Sequence, residues 1–399
     1  MKVLMCHNFY QQPGGEDLVF HDEVGMLRAH GHEVIEFTYH NDQIDGMSRI
    51  DLARKTLWNS ESAQEIREVI RRENPDIMHC ANTFPLISPA IYYAAAERDV
   101  PVVQTLHNYR LLCPKAQFFR NNRPCEDCLG KKVSWPAVQH GCYRDSRSAS
   151  AVVAAMTAFH HAKKTWSRAI DRYIVLTQFS KNKFIEGGLP KDRIVVKPNF
   201  VEPDPGIRSG AGNYFVFVGR LSPEKGIQTL MDAWTSLQSD VRLRIIGDGP
   251  MADAVQSFAD SDQRVEWLGR QPMPEVYSQV GQATALIMPS IWYETFGRTI
   301  VESYATGTPV IASNLGAMAE LVEDGKTGTL FTPGDSADLA KKVDFFANNQ
   351  ANLPEMRQAA REEYLSNYTA EPNYQMLTSI YEEAIASRGR PSDQHLLKC

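Results

Sequence analysis

The 399-residue sequence contains no apolar run that approaches the ~20 residues needed to cross a bilayer. Met1 to Leu4 lead directly into a polar stretch, so this part of the sequence does not have the pattern of a secretory signal peptide. These absences argue against a membrane-spanning protein and predict a cytoplasmic one. The seven cysteines are therefore expected to be reduced thiols or metal ligands rather than disulfides.

The dinucleotide fingerprint G-x-G-x-x-G is also missing after the first predicted strand, which disfavours a nicotinamide cofactor. The turn at this place contains Gly14 and Gly15 before a predicted helix. Two glycines let the backbone approach a ligand closely, and a helix N-terminus attracts phosphate. Such glycines are often only structural, so both interpretations stay open at this turn.

Acidic residues are scarce in one part of the chain. Residues 110–197 contain 17 basic and 6 acidic residues, whereas residues 206–399 contain 16 basic and 24 acidic ones. A basic block suits an anionic surface, either lipid phosphates or nucleic acid, although a solvated surface is the commonest location of charge. The predicted helix at 148–169, with two lysines and Trp166, is either an ordinary domain helix or a contact with a membrane surface.

Short β-rich runs alternate with helical patterns along most of the chain, which is typical of doubly wound parallel sheets. The chain is too long for one ordinary core, and the alternation restarts at Tyr214. We therefore expect an α/β protein with two Rossmann-like domains, at 1–200 and 201–370. Helices are also expected at 337–347 and 354–387.

Two carboxylates stand eight residues apart in the second half. Glu294 follows the apolar run at 283–288, and Glu302 lies in a predicted helix at 298–305. That spacing is roughly 12 Å at ~1.5 Å per helical residue, so the two groups cannot share one proton or one metal. They can hold two ends of an elongated polar ligand, or lie on a solvated helix. The helix N-terminus between them, formed by Phe296, Gly297, Arg298 and Thr299, favours an anion.

A second motif, G-R-x-x-x-x-K-G, follows the predicted strand at 214–218. It places Arg220 and Lys225 beside a helix N-terminus, with Gly219 at the end of the strand. Two cations there could neutralise a diphosphate, although surface Arg and Lys are usually only solvated.

Two further groups of residues carry predictions. His107 stands at the carboxyl end of the predicted strand at 100–106, the edge where open α/β sheets bind ligands. The segment 111–147 contains four cysteines whose C-x2-C pair matches a structural zinc site, or four unrelated thiols: Cys113, Cys125, Cys128 and Cys142.

The motif P-S-x-x-x-E-x-F-G-x-x-x-x-E, followed by G-T-P-V-I-A, resembles the E-x7-E signature of retaining glycosyltransferases of family 4, which have the two-domain GT-B fold facing a central cleft. The resemblance implies that Glu294 contacts the donor sugar and Glu302 the ribose. It also implies that Arg220 and Lys225 stabilise the leaving diphosphate, and that His107 touches the donor sugar. Gly14, Gly15, Gly219, Leu268 and residues 296–299 would line the nucleotide. The segment 371–399 would cross back to the first domain.

The resemblance therefore predicts a retaining, metal-independent hexosyltransferase that uses a nucleoside-diphosphate sugar, with no catalytic cofactor and no nucleic acid partner. The basic block suggests a saccharide or lipid-linked acceptor of polysaccharide biosynthesis at the inner face of a membrane. A sugar-nucleotide epimerase of the same fold is the alternative enzyme, and an inactive GT-B partner subunit is the alternative of another class.

Overall fold

The computed structural model describes residues 1–12 and 14–388. Within these residues the chain divides into two compact units. Unit 1 contains residues 1–118, 126–197 and the described residues from 373 onward. Unit 2 contains residues 119–125 and 198–372. From residue 389 onward, the predicted C-terminal segment 371–399 lies outside the described residues.

A parallel six-stranded sheet forms the centre of unit 1, in the strand order β2-β1-β3-β4-β7-β8. The inner strands β3 and β4 are buried along their whole length, as expected of a sheet covered by helices. The chain up to residue 197 forms these strands: β1 (Lys2–Phe9), β2 (Glu33–His40), β3 (Ile77–Asn82), β4 (Val102–Thr105), β5 (Phe119–Arg120), β6 (Arg123–Pro124), β7 (Arg172–Val175) and β8 (Ile194–Val196). The pair β5 and β6 is a separate antiparallel hairpin that belongs to unit 2.

The helices of this part of the chain are α1 (Gly15–Ala29), α2 (Arg49–Leu57), α3 (Ser60–Glu73), α4 (Ala90–Ala96), α5 (Trp135–His140), α6 (Arg147–Ala162), α7 (Thr165–Arg168) and α8 (Gln178–Glu186). The single helix predicted at 148–169 is wrong, because the chain leaves the helical conformation between α6 and α7. Lys164 has a φ of 58°, in the left-handed region. Trp166 is buried and its Nε1 donates to the Thr157 carbonyl at 3.4 Å, so it is not exposed for a membrane contact.

A buried ion pair joins distant segments of unit 1. Nζ of Lys197 lies 2.8 Å from Oε1 of Glu23, and both side chains are almost inaccessible. Nζ of Lys197 also donates to Oδ1 of Asn373 at 2.8 Å. His79 shares hydrogen bonds of 2.7 Å with the Tyr381 hydroxyl and the Thr105 hydroxyl. The helix at Ala370–Arg388 therefore supplies two polar partners to the interior of unit 1.

Unit 2 contains a second parallel six-stranded sheet, in the order β11-β10-β9-β12-β13-β14. Its strands are β9 (Tyr214–Val218), β10 (Arg242–Ile246), β11 (Val265–Trp267), β12 (Ala285–Met288), β13 (Val310–Ser313) and β14 (Gly328–Phe331). The remaining helices are α9 (Ile227–Ser236), α10 (Ala252–Ser261), α11 (Met273–Gln282), α12 (Arg298–Ala305), α13 (Gly316–Leu321), α14 (Ser336–Asn348), α15 (Leu353–Asn367) and α16 (Ala370–Arg388).

The helical stretch predicted at 354–387 consists of two helices, α15 and α16. Tyr368 ends α15 with a non-helical ψ of 17°, and its carbonyl accepts a hydrogen bond from Val201 at 3.0 Å. No helix in the described ranges is both long enough and apolar enough to span a bilayer. The two sheets, each parallel and covered by helices, confirm the predicted pair of Rossmann-like domains.

Candidate active site

The order of strands in unit 2 reverses beside β9, which has β10 on one side and β12 on the other. Loops that leave the carboxyl ends of strands on the two sides of such a point diverge and leave a crevice, where open α/β sheets bind their ligands. The two motifs predicted to bind the donor follow β9 and β12. The fold therefore brings them to the same point of the sheet.

Gly226 holds these two loops in contact. Its φ is +73°, and a Cβ at this position would lie 1.8 Å from the carbonyl oxygen of Pro289. The amide of Ile291 donates to the carbonyl of Glu224 at 2.9 Å, which joins the same loops a second time. The glycine at the end of the G-R-x-x-x-x-K-G motif is thus required by close backbone contact.

Lys225 and Glu294 meet across this junction. Nζ of Lys225 lies 2.7 Å from Oε1 of Glu294, and the carboxylate is buried while the lysine is about one quarter exposed. The same oxygen accepts hydrogen bonds from Oγ of Ser290 at 2.8 Å and from Nε1 of Trp292 at 2.9 Å. Three donors on one oxygen fix the orientation of Glu294 beside a partly exposed cation.

Arg220 and Gly219 lie at the end of β9. The Gly219 amide donates to the Ile246 carbonyl at 3.0 Å, and a Cβ on Gly247 would lie 1.9 Å from the Gly219 carbonyl oxygen. The backbone here is therefore tightly packed against the end of β10. The side chain of Arg220 is exposed to solvent, so its charge is available to an anion.

The predicted nucleotide loop at Leu268 follows β11. Its amide donates to the Ile245 carbonyl at 2.9 Å, and the Gly247 amide donates to the Gly269 carbonyl at 2.8 Å. Leu268 itself is half-buried. The loops after β9, β10 and β11 are thus connected by backbone hydrogen bonds in the order of the strands.

Helix α12 begins after Gly297, which has a φ of +99° and provides no side-chain cap. Arg298 and Thr299 form its half-exposed first turn. Phe296 is buried, and its ring lies 6.1 Å from that of Tyr368, so its side chain belongs to the core of unit 2. An uncapped helix N-terminus at the end of a sheet can accept an anion through its backbone amides.

Glu302 pairs with Arg298 of the same helix. Nε of Arg298 lies 2.9 Å from Oε1 of Glu302, one turn further along α12, and both side chains are largely buried. Glu294 pairs with a different cation, Lys225, so the two carboxylates of the E-x7-E motif belong to separate ion pairs. This arrangement agrees with two separate contacts to a ligand and excludes a shared proton between them.

In unit 1, His107 follows β4 and is buried. Burial lowers the pKa of its imidazole, and the nearby carboxylates of Glu16 and Glu23 only partly oppose this effect. The neutral form of His107 is therefore favoured at pH 7. A neutral imidazole can position a hydroxyl group by hydrogen bonding without adding charge.

Gly14 and Gly15 lie where β1 leads into α1, and neither glycine would bring a Cβ within 4 Å of another atom. The amide of Gly14 donates to Oδ2 of Asp17 at 2.8 Å. The neighbouring Glu16 accepts a hydrogen bond from Nδ2 of Asn108 at 2.7 Å. This contact joins the glycine turn to the loop of His107.

A pocket lies within unit 1 beside this loop. Its lining includes polar side chains from the ends of β3 and β4 and aromatic groups from nearby helices: Asn82, Thr83, Gln104, His107, Tyr92 and Trp166. The guanidinium of Arg110, also in the lining, stacks over Phe84 at 4.0 Å from the ring centroid. Mixed aromatic and amide surfaces of this kind suit a sugar or another hydroxylated ligand.

The prediction of a zinc site is not supported. The residues that the structure describes contain no group of three or more His, Cys, Asp or Glu side chains that could hold a metal ion. Cys113, Cys125, Cys128 and Cys142 are all among those residues. A tetrahedral site needs four ligands around one point, so the C-x2-C spacing alone was insufficient evidence.

Several residues of the site were not predicted. Ser290 is the serine of the P-S-x-x-x-E motif but was given no role, and Trp292 occupies an unspecified position of that motif. Glu16 and Asn108 are polar residues of common type. Their position in the sequence could have indicated them, because each of these residues follows the carboxyl end of a strand or begins the next helix.

The comparisons with known proteins agree with this geometry. Residues 204–363 match the model of glycosyl transferases group 1, and residues 13–205 match that of Glycosyltransferase Family 4. An uncharacterized glycosyltransferase, MJ1178, of Methanocaldococcus jannaschii is 31% identical over 53% of this chain and 60% of its own length. A phosphatidyl-myo-inositol mannosyltransferase of Mycobacterium leprae is 31% identical over 44% of this chain and 48% of its own. The aligned regions thus span about half of these relatives.

A solved structure, HepE of Anabaena in complex with UDP, superposes with a TM-score of 0.68 and 19% identity over 96% of this chain and all of that one. Likeness at this identity shows the fold and not the activity. It shows that the chain has the GT-B fold, and the two parts of the chain match the Glycosyltransferase Family 4 and the glycosyl transferases group 1 models respectively.

Proposed function

We propose that the protein is a retaining glycosyltransferase that moves a hexosyl group from a nucleoside-diphosphate sugar to a hydroxyl of its acceptor. The observation that carries the proposal is the ion pair of Lys225 and Glu294 at the switch point of the unit 2 sheet. It sets a cation and an oriented carboxylate beside the uncapped N-terminus of α12. A nucleotide sugar carries both a diphosphate and hydroxyl groups for these partners.

Each residue has a role in this scheme. Arg220 and Lys225 bind the diphosphate together with the amides of Gly297, Arg298 and Thr299. Charge that grows on the departing phosphate is stabilised by donors already in place. Because these donors supply positive charge, the scheme needs no divalent metal. Glu294 accepts hydrogen bonds from the donor sugar.

Glu302 contacts the ribose, and backbone near Gly219 and Leu268 holds the nucleobase and phosphates. For Gly14, Gly15 and His107 of unit 1, contacts with the donor stay predictions that the sequence resemblance implies. The structures of HepE hold UDP or UDP-glucose, which makes uridine nucleotides the first donors to test.

The transfer proceeds on one face of the sugar. The bond between the anomeric carbon and the phosphate oxygen breaks, and the acceptor oxygen forms its bond on the side from which the phosphate leaves. The proton of the acceptor hydroxyl passes to the departing phosphate oxygen. This course retains the anomeric configuration and uses no protein nucleophile.

We further propose a lipid-linked saccharide as acceptor, in polysaccharide biosynthesis at the inner face of a membrane. The excess of basic residues at 110–197 supports this choice. One relative is also named for a phosphatidyl-myo-inositol acceptor. The epimerase alternative is not favoured, because both family models that match describe glycosyltransferases.

Calorimetry of the purified protein with UDP, GDP and ADP, followed by their sugars, tests the proposal. We expect one nucleotide to bind, and NMR of the product to show the donor's anomeric configuration. Activity that persists in EDTA would support the absence of a metal from the scheme. Failure of all three nucleotides to bind would contradict the proposal and favour an inactive partner subunit.

A further inference from the structure

A short turn in unit 1 combines exposed apolar and cationic side chains. Trp135 is 64% exposed and Val133 is 50% exposed, and Lys131 and Lys132 precede them on the surface. We name residues 131–135 the basic-aromatic turn. Exposed apolar side chains next to charged ones are a feature of interaction and membrane-contact sites.

The turn has a defined backbone. The Lys131 amide donates to the Cys128 carbonyl at 3.2 Å, and the Trp135 amide donates to the Val133 carbonyl at 2.8 Å. Ser134, between the two exposed apolar residues, is buried. The conformation therefore directs Val133 and Trp135 outward while their neighbour is held inside.

The sequence segment that contains the turn has a net positive charge. Residues 111–147 contain seven basic and three acidic residues. One of the acidic residues, Glu126, is already paired with Lys183 at 2.8 Å. Neither Lys131 nor Lys132 forms an ion pair within the described part of the chain. The turn thus presents two available cations next to two exposed apolar groups.

We propose that the basic-aromatic turn docks the protein on an anionic lipid bilayer. Tryptophan is favoured at the bilayer interface, where its ring is partly apolar and its N–H remains hydrated, and lysines nearby are attracted to anionic headgroups. A saccharide could stack on Trp135 but would not account for Val133 and the lysine pair. A second copy of the chain would bring like charges together.

This docking site differs from the helix at 148–169 that the sequence suggested. Trp166 is buried there, and Nζ of Lys163 lies 5.6 to 5.8 Å from the centroids of the Trp58, Tyr93 and Phe159 rings. That lysine is engaged with its own unit. The inference rests on the proposed function in one respect, which is that the acceptor lies at a membrane. Docking itself needs no nucleotide and can be measured without activity.

Flotation of the full chain with vesicles tests the proposal. We expect binding to equimolar phosphatidylcholine and phosphatidylglycerol, little binding to phosphatidylcholine alone, and release by salt as the Debye length falls from ~10 Å at 0.1 M to ~3 Å at 1 M. Lys131→Gln/Lys132→Gln should lower partitioning roughly thirtyfold, at about 1 kcal/mol per basic residue. Trp135→Ala should lower it about tenfold.

The matched control is Lys341→Gln/Lys342→Gln/Phe345→Ala on α14 in unit 2. This helix also carries two lysines and an exposed aromatic, but Lys342 has acidic neighbours. The control should bind vesicles as the parent chain does. Equal binding by the control and the turn variants, or no binding to anionic vesicles, would overturn docking by this turn. Nucleotide calorimetry on the same samples reports separately on the proposed function.

Discussion

Nζ of Lys225 and Oε1 of Glu294 lie 2.7 Å apart, although the residues are separated by 69 positions and belong to loops after different strands. The contact couples the two motifs that would hold the donor. A change in either residue is therefore expected to affect the other motif. This coupling can be measured apart from catalysis.

A double-mutant cycle with Lys225→Met and Glu294→Gln should show this coupling. Residues that share an ion pair typically give interaction energies of about 0.5–3 kcal/mol, and partial exposure of Lys225 favours the lower half of that range. Urea unfolding of the parent, both single variants and the double variant provides the measurement. Additive effects within about 0.3 kcal/mol would show that the pair does not couple the loops.

Arg220→Ala should weaken binding of the nucleoside diphosphate by roughly 10- to 150-fold, because a charge-assisted contact contributes about 1.5–3 kcal/mol. The side chain is exposed, so the unfolding midpoint should not change. Arg242→Ala is the matched control, since Arg242 is also exposed but lies at the opposite end of β10. Unchanged nucleotide affinity in Arg220→Ala would remove this arginine from the site.

Gly226→Ala should lower the free energy of unfolding of unit 2. The strained backbone alone should cost about 1–3 kcal/mol, and moving the carbonyl of Pro289 should add to this cost. Gly14→Ala is the comparison, because a Cβ there meets no atom within 4 Å and the φ of −121° suits any residue. Thermal unfolding should therefore separate the two variants. If Gly14→Ala nevertheless weakens nucleotide binding, the added methyl group interferes with the ligand and not with the fold.

The stability of unit 1 should fall as the pH decreases from about 6.5 towards 4. Burial lowers the pKa of His160 to about 4, so the folded state holds its imidazole neutral. Because the unfolded chain binds the proton at a pKa near 6.5, stability is complete above that pH and is lost progressively as the pH falls to the folded value. The loss should reach roughly 2–3 kcal/mol in urea titrations.

His160→Gln should reduce this pH dependence without abolishing it, and His161→Gln should leave it unchanged, because His161 is exposed on the same helix. His79, whose pKa burial also lowers to about 4, should retain a similar slope in the His160 variant. An identical pH profile in the parent and in His160→Gln would contradict the assignment to His160.

Much of unit 2 could be predicted because its strands and helices follow the local sequence pattern. The strand Tyr214–Val218 and the helix Arg298–Ala305 begin and end at the predicted residues, since a glycine closes one and opens the other. The breaks at Lys164 and Tyr368 were missed. Neither residue is Gly or Pro, so tertiary contacts rather than local propensity end those helices.

The polar interior of unit 1 could not be predicted in the same way. Lys197 looks like any surface lysine in the sequence, yet it is fully buried. A signal existed in α1, where Glu23 lies on the buried stripe with Val19, Phe20 and Leu27. The partner of Glu23 could not be predicted from local pattern, because Lys197 lies 174 residues away in the sequence.

The buried cluster of Glu23, Lys197 and Asn373 also determines when unit 1 can complete its interior contacts during translation. A ribosome completes all of unit 2 before it reaches Asn373, whereas Glu23 and Lys197 emerge much earlier. During that interval the lysine lacks its amide partner, and the Tyr381 hydroxyl is absent from His79. Unit 1 begins to be translated first but is consequently the last to acquire its full set of interior contacts. Its interior stays incomplete until the residues that follow unit 2 have been synthesised.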